Sequence, residues 1–404
     1  MREIVPDQRR PFYVRYWIII PTCLILAVAV IIYAWSGATE ASPKLSHTPF
    51  LNQKASAEVD SLSMSDLLAA AESGNALAQL RLAKGYREGL SGLTKDDKKS
   101  FEWTLKAAKA GIPDAKVKAG ECYFRGIGTE QDFDKAHEMF HAPAAELNDP
   151  TAQLYMGLLY GGGRGFPGRD DVAVEWFKKS AAGGNALGAA NYGRALFEGR
   201  GVAKDAKLAV GYLKTGVDGG SVGPLVYLGW AYQVGEGVEK DLKEAARLYR
   251  LAADKGDAAG CHYLAMLYLN GVGVIKDIDL ALKWMKASCV AGDISAMKRL
   301  GNLYHTGEEL PKDADLASKY FLDAARSGDV ECQFVMGVRY QNGIGCPISP
   351  AEAYAWFNIA SANGETRAAE SRESLAKTLN HGQVAAAQKR SRDILVEMEG
   401  KKRE

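Results

Sequence analysis

The six cysteines of this 404-residue chain form no C-x-x-C pair, which argues against a zinc ribbon or a dithiol redox motif. No N-x-Ser/Thr sequon occurs, so nothing marks a site of N-glycosylation. Neither sign of charge prevails: 50 Lys and Arg stand against 49 Asp and Glu, and no basic face for nucleic acid is advertised. What the chain has in quantity is apolar residues, 47%, and 43 glycines, the composition of an ordered protein with many turns.

One uncharged run stands out. Residues 17–35 carry no charge, about the length that crosses a bilayer as a helix. Tyr13, Tyr16 and Trp17 flank one end, and Tyr33 and Trp35 the other, as in interfacial aromatic belts. Arg2, Arg9, Arg10 and Arg15 precede the run and only Lys44 and Lys54 follow soon after, so the positive-inside rule leaves residues 1–15 as a cytoplasmic tail. Residues 16–36 are then a transmembrane helix. A cleaved signal peptide ending at Ser36-Gly37-Ala38 is the alternative, but the apolar run is longer than a usual signal core. Cys23 sits in the span as a lipid-facing residue. Residues 37–64 lack helical periodicity and contain two prolines; as a flexible stalk they would span roughly 30 Å.

From residue 65 onward a frame recurs. Gly74, Gly111, Gly184, Gly220, Gly256, Gly292, Gly328 and Gly364 share one register, with Asn148 in the remaining slot, at spacings of 37, 37 and then 36 residues. Fixed self-similarity of this period predicts stacked helix-turn-helix units. With the opening Gly or Asn as position 0, position 9 is Gly or Ala in all eight copies, leaving room for a partner helix. Position 12 is Tyr except at Leu196, and position 15 is always Gly, suited to a helix end that needs positive φ. Helix A is predicted over positions 2–14; helix B carries Ala at position 25 and an aromatic or Leu near 28–29. Ser65-Asp66 is expected to start a short capping helix ending at Gly74. Asn380 and Gln383 form a capping box for a last helix of about residues 383–398 within a C-terminal cap, residues 365–404.

The frame A-x-x-x-L-G-x-x-Y-x-x-G-x-G-V-x-x-D-x-x-x-A-x-x-W, clearest in Gly220–Gly256, Gly256–Gly292 and Gly328–Gly364, resembles the Sel-one-like repeat, a relative of the tetratricopeptide repeat. The resemblance covers residues 65–364 and implies an all-α, α/α superhelical solenoid of about eight repeats that recruits other proteins, with no catalytic residue set and no cofactor. By analogy with tetratricopeptide repeats, positions 10 and 13 of helix A point into a groove. There copies three to six hold Leu158, Arg194, Phe197, Trp230, Met266 and Leu269. Apolar and aromatic anchors beside an Arg suit a peptide groove; the alternative is that some of them pack between copies.

Several motifs invite other readings. His137-Glu138-Met139-Phe140-His141 fits H-E-x-x-H, whose histidines bind zinc beside a Glu base. It falls in register as helix B of copy two, with Met139 and Phe140 in core slots, no third ligand downstream and Pro143 just beyond, so surface histidines are expected. Gly163-x-Gly165-x-x-Gly168 fits the dinucleotide fingerprint but follows a helix instead of a strand. His262 and His305 lie on helix A faces without a nucleophile. Cys261 and Cys289 open and close the two helices of one repeat; an exported domain can join them as a disulfide or keep them as small buried thiols.

These readings converge on a single-pass protein of a Gram-negative-type inner membrane. Its repeat domain lies in the periplasm as a scaffold for envelope proteins or peptides, in assembly, secretion or signalling, without nucleic acid or small-molecule cofactor. The alternative is a periplasmic enzyme: a β-lactam-binding or hydrolysing repeat protein, or a zinc metalloprotease using His137, Glu138 and His141.

Overall fold

In the computed structural model residues 58–90, 92–162 and 168–401 are described. The tail 1–15, the span 16–36 with Cys23, the stalk up to residue 57, and Gly163 and Gly165 of the glycine motif lie outside the described residues. Among those described, no helix is long and apolar enough to cross a membrane, and none of the secondary structure is strand.

Nineteen helices make up the described chain. After α1 (Met64–Glu72) they alternate as A and B partners: α2 (Ala76–Glu88) with α3 (Asp97–Lys109), α4 (Pro113–Arg125) with α5 (Phe133–Ala145), and α6 (Pro150–Gly161) with α7 (Asp170–Ala182). Then come α8 (Ala186–Glu198) with α9 (Ala206–Asp218), α10 (Gly223–Val234) with α11 (Leu242–Asp254), and α12 (Ala258–Asn270) with α13 (Ile278–Val290). The last are α14 (Ile294–Thr306) with α15 (Ala314–Arg326), α16 (Val330–Asn342) with α17 (Pro350–Ala362), then α18 (Thr366–Ala376) and α19 (His381–Lys401). They fall into two compact units, one ending at Ala296 and the other beginning at Met297.

Local chemistry sets each boundary. A helices start where an Asn or Asp at position 1 accepts backbone amides of the first turn, as Asn75, Asp149, Asn185, Asp257 and Asp329 do. They stop at position 15, where Gly89, Gly126, Gly199, Gly271 and Gly343 hold φ of 67–69°. B helices start at Asp96, Asp132, Asp205, Asp241, Asp277 and Asp313 in the same way. Asn148, the one non-glycine at position 0, has φ 53°, which Asn tolerates better than other side chains.

Two glycine positions then set the packing. A Cβ on the position-9 glycine would stand 2.5–2.9 Å from the position-29 residue of the same repeat: Gly120 against Phe140, Gly157 against Phe177, Gly193 against Leu213, Gly229 against Tyr249, and Gly337 against Phe357. Position 29 is therefore the buried plug of these hairpins. Position 28, where Trp176, Tyr212, Trp284 and Tyr320 stand half-exposed, is a separate slot. At position 17, Gly128, Gly201, Gly237, Gly273 and Gly345 have positive φ, and a Cβ there would come within 1.9–2.3 Å of a carbonyl oxygen in the first turn of the preceding repeat's B helix. One residue type thus makes the hairpin and the stack.

The caps depart from expectation in detail. Ser63, not Ser65, caps α1, its Oγ accepting the Asp66 amide at 3.2 Å. α18 continues the repeat register as a ninth A helix, with Ala368 and Leu375 in the core of the C-terminal unit. The Asn380–Gln383 bonds are reciprocal at 2.9 Å, but α19 begins at His381 and runs to Lys401.

Gly229→Ala forces the backbone away from the fully buried Tyr249 ring and is expected to cost about 1–3 kcal/mol. Gly211→Ala, mid-helix in α9 with nothing within 4 Å, should gain about 0.5–1 kcal/mol. Denaturant melts of the two variants check both signs.

Candidate partner-binding face

A helices of consecutive copies bring positions 7, 10 and 14 onto one face, since these lie three and four residues apart. The position-10 residues Leu158, Arg194, Trp230 and Met266 are half-buried there. Leu158 packs on the core cluster that includes Tyr155 and Phe140. Arg194 donates from Nη2 to Asn191 Oδ1 at 3.1 Å. The Trp230 ring lies 6.1 Å from that of Tyr263, tilted 55°.

Position 13 is different. Phe197 is 1% and Leu269 2% exposed, so neither can line an open groove. Position 13 follows the packed position 9 by one turn, only about 40° around the helix, so an apolar side chain there joins the core, whereas His305 at the same position stays exposed. Phe197 meets Tyr227 edge-on at 6.1 Å instead.

Position 7, passed over in the sequence reading, joins one copy to the next. Tyr155 accepts from Nη2 of Arg125, position 14 of the preceding copy, at 2.7 Å. Tyr227 donates to Oε1 of Glu198, also position 14 of the preceding copy, at 2.7 Å. Tyr263 stacks on Tyr249 at 5.0 Å and reaches Trp230. The recurrence of Tyr at position 7 in copies three, five and six was the available signal. Burial raises the Tyr155, Tyr227 and Tyr263 hydroxyl pKa values well above the ordinary tyrosine range. Burial also pushes the Glu121 carboxyl up, against the pull of Arg125, Arg87 and Lys118.

The remaining motifs resolve locally. His137 Nε2 lies 3.1 Å from Tyr160 Oη, and its ring is 5.8 Å from that of His141, while Glu138 is exposed. Burial and then His141 hold His137 below the ordinary histidine value. Among the described residues no three His, Cys, Asp or Glu gather as a metal site. Cys261 and Cys289 are not joined: Cys261 is buried with Sγ 3.8 Å from the Ala253 carbonyl oxygen, and Cys289 is half-exposed on α13. His305 is exposed; His262 pairs with Asp293 at 3.2 Å.

The Sel1 repeat model matches eight consecutive stretches, residues 76–112, 113–149, 150–185, 186–221, 225–257, 258–293, 294–329 and 330–365. The chain belongs to the Sel1 repeat family. Each match begins at or within two residues of an A helix, so the family unit and the structural hairpin coincide. The chain is similar to a Sel1 repeat protein from Oxalobacter formigenes, at 25% identity and TM-score 0.56, over 85% of this chain and 99% of that one. It is also similar to c5321, a protective antigen of uropathogenic Escherichia coli with an SLR fold, at 24% identity and TM-score 0.47, over 84% and 96%. Cysteine rich protein B of Helicobacter pylori shares 26% identity at TM-score 0.26, over 31% of this chain and 89% of its own. No curated protein matches. The eight Sel1 copies and the all-α solenoid make this a protein-interaction scaffold fold.

Phe197→Ala is expected to cost about 3–5 kcal/mol in a urea melt, the range for an emptied aromatic core site, whereas Trp230→Ala should stay within about 1 kcal/mol. Glu121 gives a pH signature. A carboxyl held above its unfolded pKa stabilises the fold fully only below that unfolded value, and the contribution is lost as pH rises through the folded one. Glu121→Gln should therefore raise Tm at about pH 7.5 and leave it unchanged near about pH 4. A lower Tm at the higher pH would show that attraction to Arg125 outweighs burial.

Proposed function

We propose that this chain is a non-enzymatic adaptor, held at the inner membrane by residues 16–36 and displaying its Sel1 copies on the periplasmic side for envelope proteins or peptides. The observation that carries it is the half-exposed row Leu158, Arg194, Trp230 and Met266, one residue per copy on the A-helix face, beside the buried Phe197 and Leu269. An Arg among apolar and aromatic anchors on a pre-formed scaffold is the composition of binding hot spots, and a rigid array loses little entropy on engaging an extended partner. The topology is supported by the uncharged run 17–35, its flanking aromatics and the four preceding arginines. Tethering raises the local concentration of any membrane-borne partner, so modest affinity suffices for assembly, secretion or signalling roles.

Photo-crosslinking in cells from position 266, followed by mass spectrometry, tests the reading together with a C-terminal reporter active only outside the cytoplasm. The expected result is a discrete envelope protein whose yield falls about tenfold or more in Trp230→Ala, a loss typical of a hot spot, with Tm retained. Capture unaffected by Trp230→Ala and Arg194→Ala would move the binding face elsewhere, and a silent reporter would overturn the topology.

A further inference from the structure

Position 6 of the A helix is apolar in copies one to five and in copy eight: Leu80, Val117, Leu154, Ala190, Val226 and Phe334. In copies six and seven it is His262 and Lys298, and in each the cation meets the acid at position 1 of the following copy. Lys298 Nζ lies 3.1 Å from Asp329 Oδ2 and 2.7 Å from Glu331 Oε2. Despite the cost of burial, these two carboxylates hold the Lys298 ammonium above the ordinary lysine range. His262 Nδ1 lies 3.2 Å from Asp293 Oδ2, each side chain less than a fifth exposed. The two copies share one device, built once with a permanent cation and once with a side chain that changes charge between about pH 5 and 8.

The His262 version depends on charge more than on a hydrogen bond. Its Nδ1 is buried and, although within ion-pair distance, is out of line for a hydrogen bond to the carboxylate. Asp293 already has its own ties: Oδ1 accepts the Ser295 amide at 2.8 Å in the first turn of α14, and Oδ2 accepts Ser288 Oγ at 2.9 Å from α13. Ser288 Oγ is also 2.8 Å from the Ala258 carbonyl oxygen of α12. A neutral ring adds a desolvated polar atom to this junction; an imidazolium adds an ion pair.

We propose that His262 and Asp293 form a pH-operated strap that clamps the start of α14 to α12 when the imidazole is protonated and releases that turn when it is neutral. The groups facing the pair from the packed elements are Asp254 on α11, Asp257 at the start of α12, and Cys261 and Tyr263 on α12. Burial, with Asp257, Asp254 and Asp293 behind it, pushes the Cys261 thiol up to about 11, and burial and Asp293 also raise the Tyr263 hydroxyl. Both stay neutral across the window; burial also raises the Asp257 carboxyl, against the Gly260 and Ala259 amides, and the His262 variants below separate its titration from that of the imidazole. Burial alone would raise the Asp293 carboxyl, but contacts from His262, Ser288 and the Ser295 amide bring it below the ordinary aspartate value, and it stays ionised throughout. The sign follows from the geometry: an imidazolium beside the Asp293 carboxylate strengthens the junction, and loss of that charge weakens it. The strap does not depend on what the A-helix face binds.

Hydrogen exchange of the full chain, corrected for intrinsic amide rates, tests it. Protection at Gly292, Asp293 and Ser295 should fall about tenfold between pH 5.5 and pH 8 as the junction opens locally. The matching amides of the next copy, Gly328 to Glu331, should hold steady because Lys298 keeps its charge. His262→Lys should flatten the profile at high protection, and His262→Gln should flatten it at low protection. Asp293→Asn, which keeps the cap but removes the charge, should flatten it without unfolding the junction. A fall in His262→Gln or Asp293→Asn equal to the parent's, or a parent as flat as the next copy's amides, would overturn the strap.

Discussion

Close approach of helix to helix at glycine is the constraint on which the rest of this molecule depends. At position 9 the absence of a side chain lets a whole ring or Leu from helix B sit against the backbone of helix A; at position 17 it lets a turn rest on the first helical turn of the preceding copy. The first contact closes a hairpin and the second stacks hairpins. Neither is a contact between glycine and glycine. At position 9 a bulky side chain fills the void in the copies that carry glycine, removing apolar surface from water, and at position 17 a backbone carbonyl fills it. Since no single hairpin buries its own outer face, the copies need each other, and α1 and α18–α19 end the array with their own apolar clusters.

A stack held by so few repeated contacts leaves the remaining positions free to differ. Position 7 uses that freedom for polar bonds between copies in one place, Tyr155 to Arg125, and for aromatic contact in another, Tyr263 to Trp230 and Tyr249. Position 10 uses it to set Leu, Arg, Trp and Met half-exposed in a row. Position 6 uses it to place His262 and Lys298 where the other copies carry apolar residues. Such variation at fixed geometry is what an interaction scaffold needs, because affinity can be tuned without disturbing the packing that holds the array together.

The fold was largely legible in the amino-acid sequence because its instructions are local. Asn or Asp before most helices, Gly after the A helices and a 36-residue period state the start, stop and number of hairpins, and the structure places A helices such as Ala76–Glu88 and Ala258–Asn270 at positions 2–14. Errors of a residue or two arose where several capping residues compete, as Ser63 and Ser65 do at α1. The face was half legible. Leu158, Arg194, Trp230 and Met266 stand half-exposed while Phe197 and Leu269 are buried, because periodicity tells which residues share a helix face and not how wide a stripe its neighbours cover. Tyr227 and Tyr155 were overlooked, since their partners come from another copy.

What the sequence by itself determined, then, is the unit: its length, its two helices, its caps, its eight-fold recurrence and its family, all encoded within each 36-residue window. Tertiary structure alone decided which side of each helix is spent on stacking and which is left to water. It turned Phe197 and Leu269 into core, joined Tyr155 to Arg125 across copies, set Asp293 within reach of His262 and left Cys261 and Cys289 apart. The physical reason is that burial and ion pairing depend on the rotation and approach of neighbouring hairpins. Those are fixed only when a bulky ring meets a glycine's empty place, a distance no spacing along the chain records.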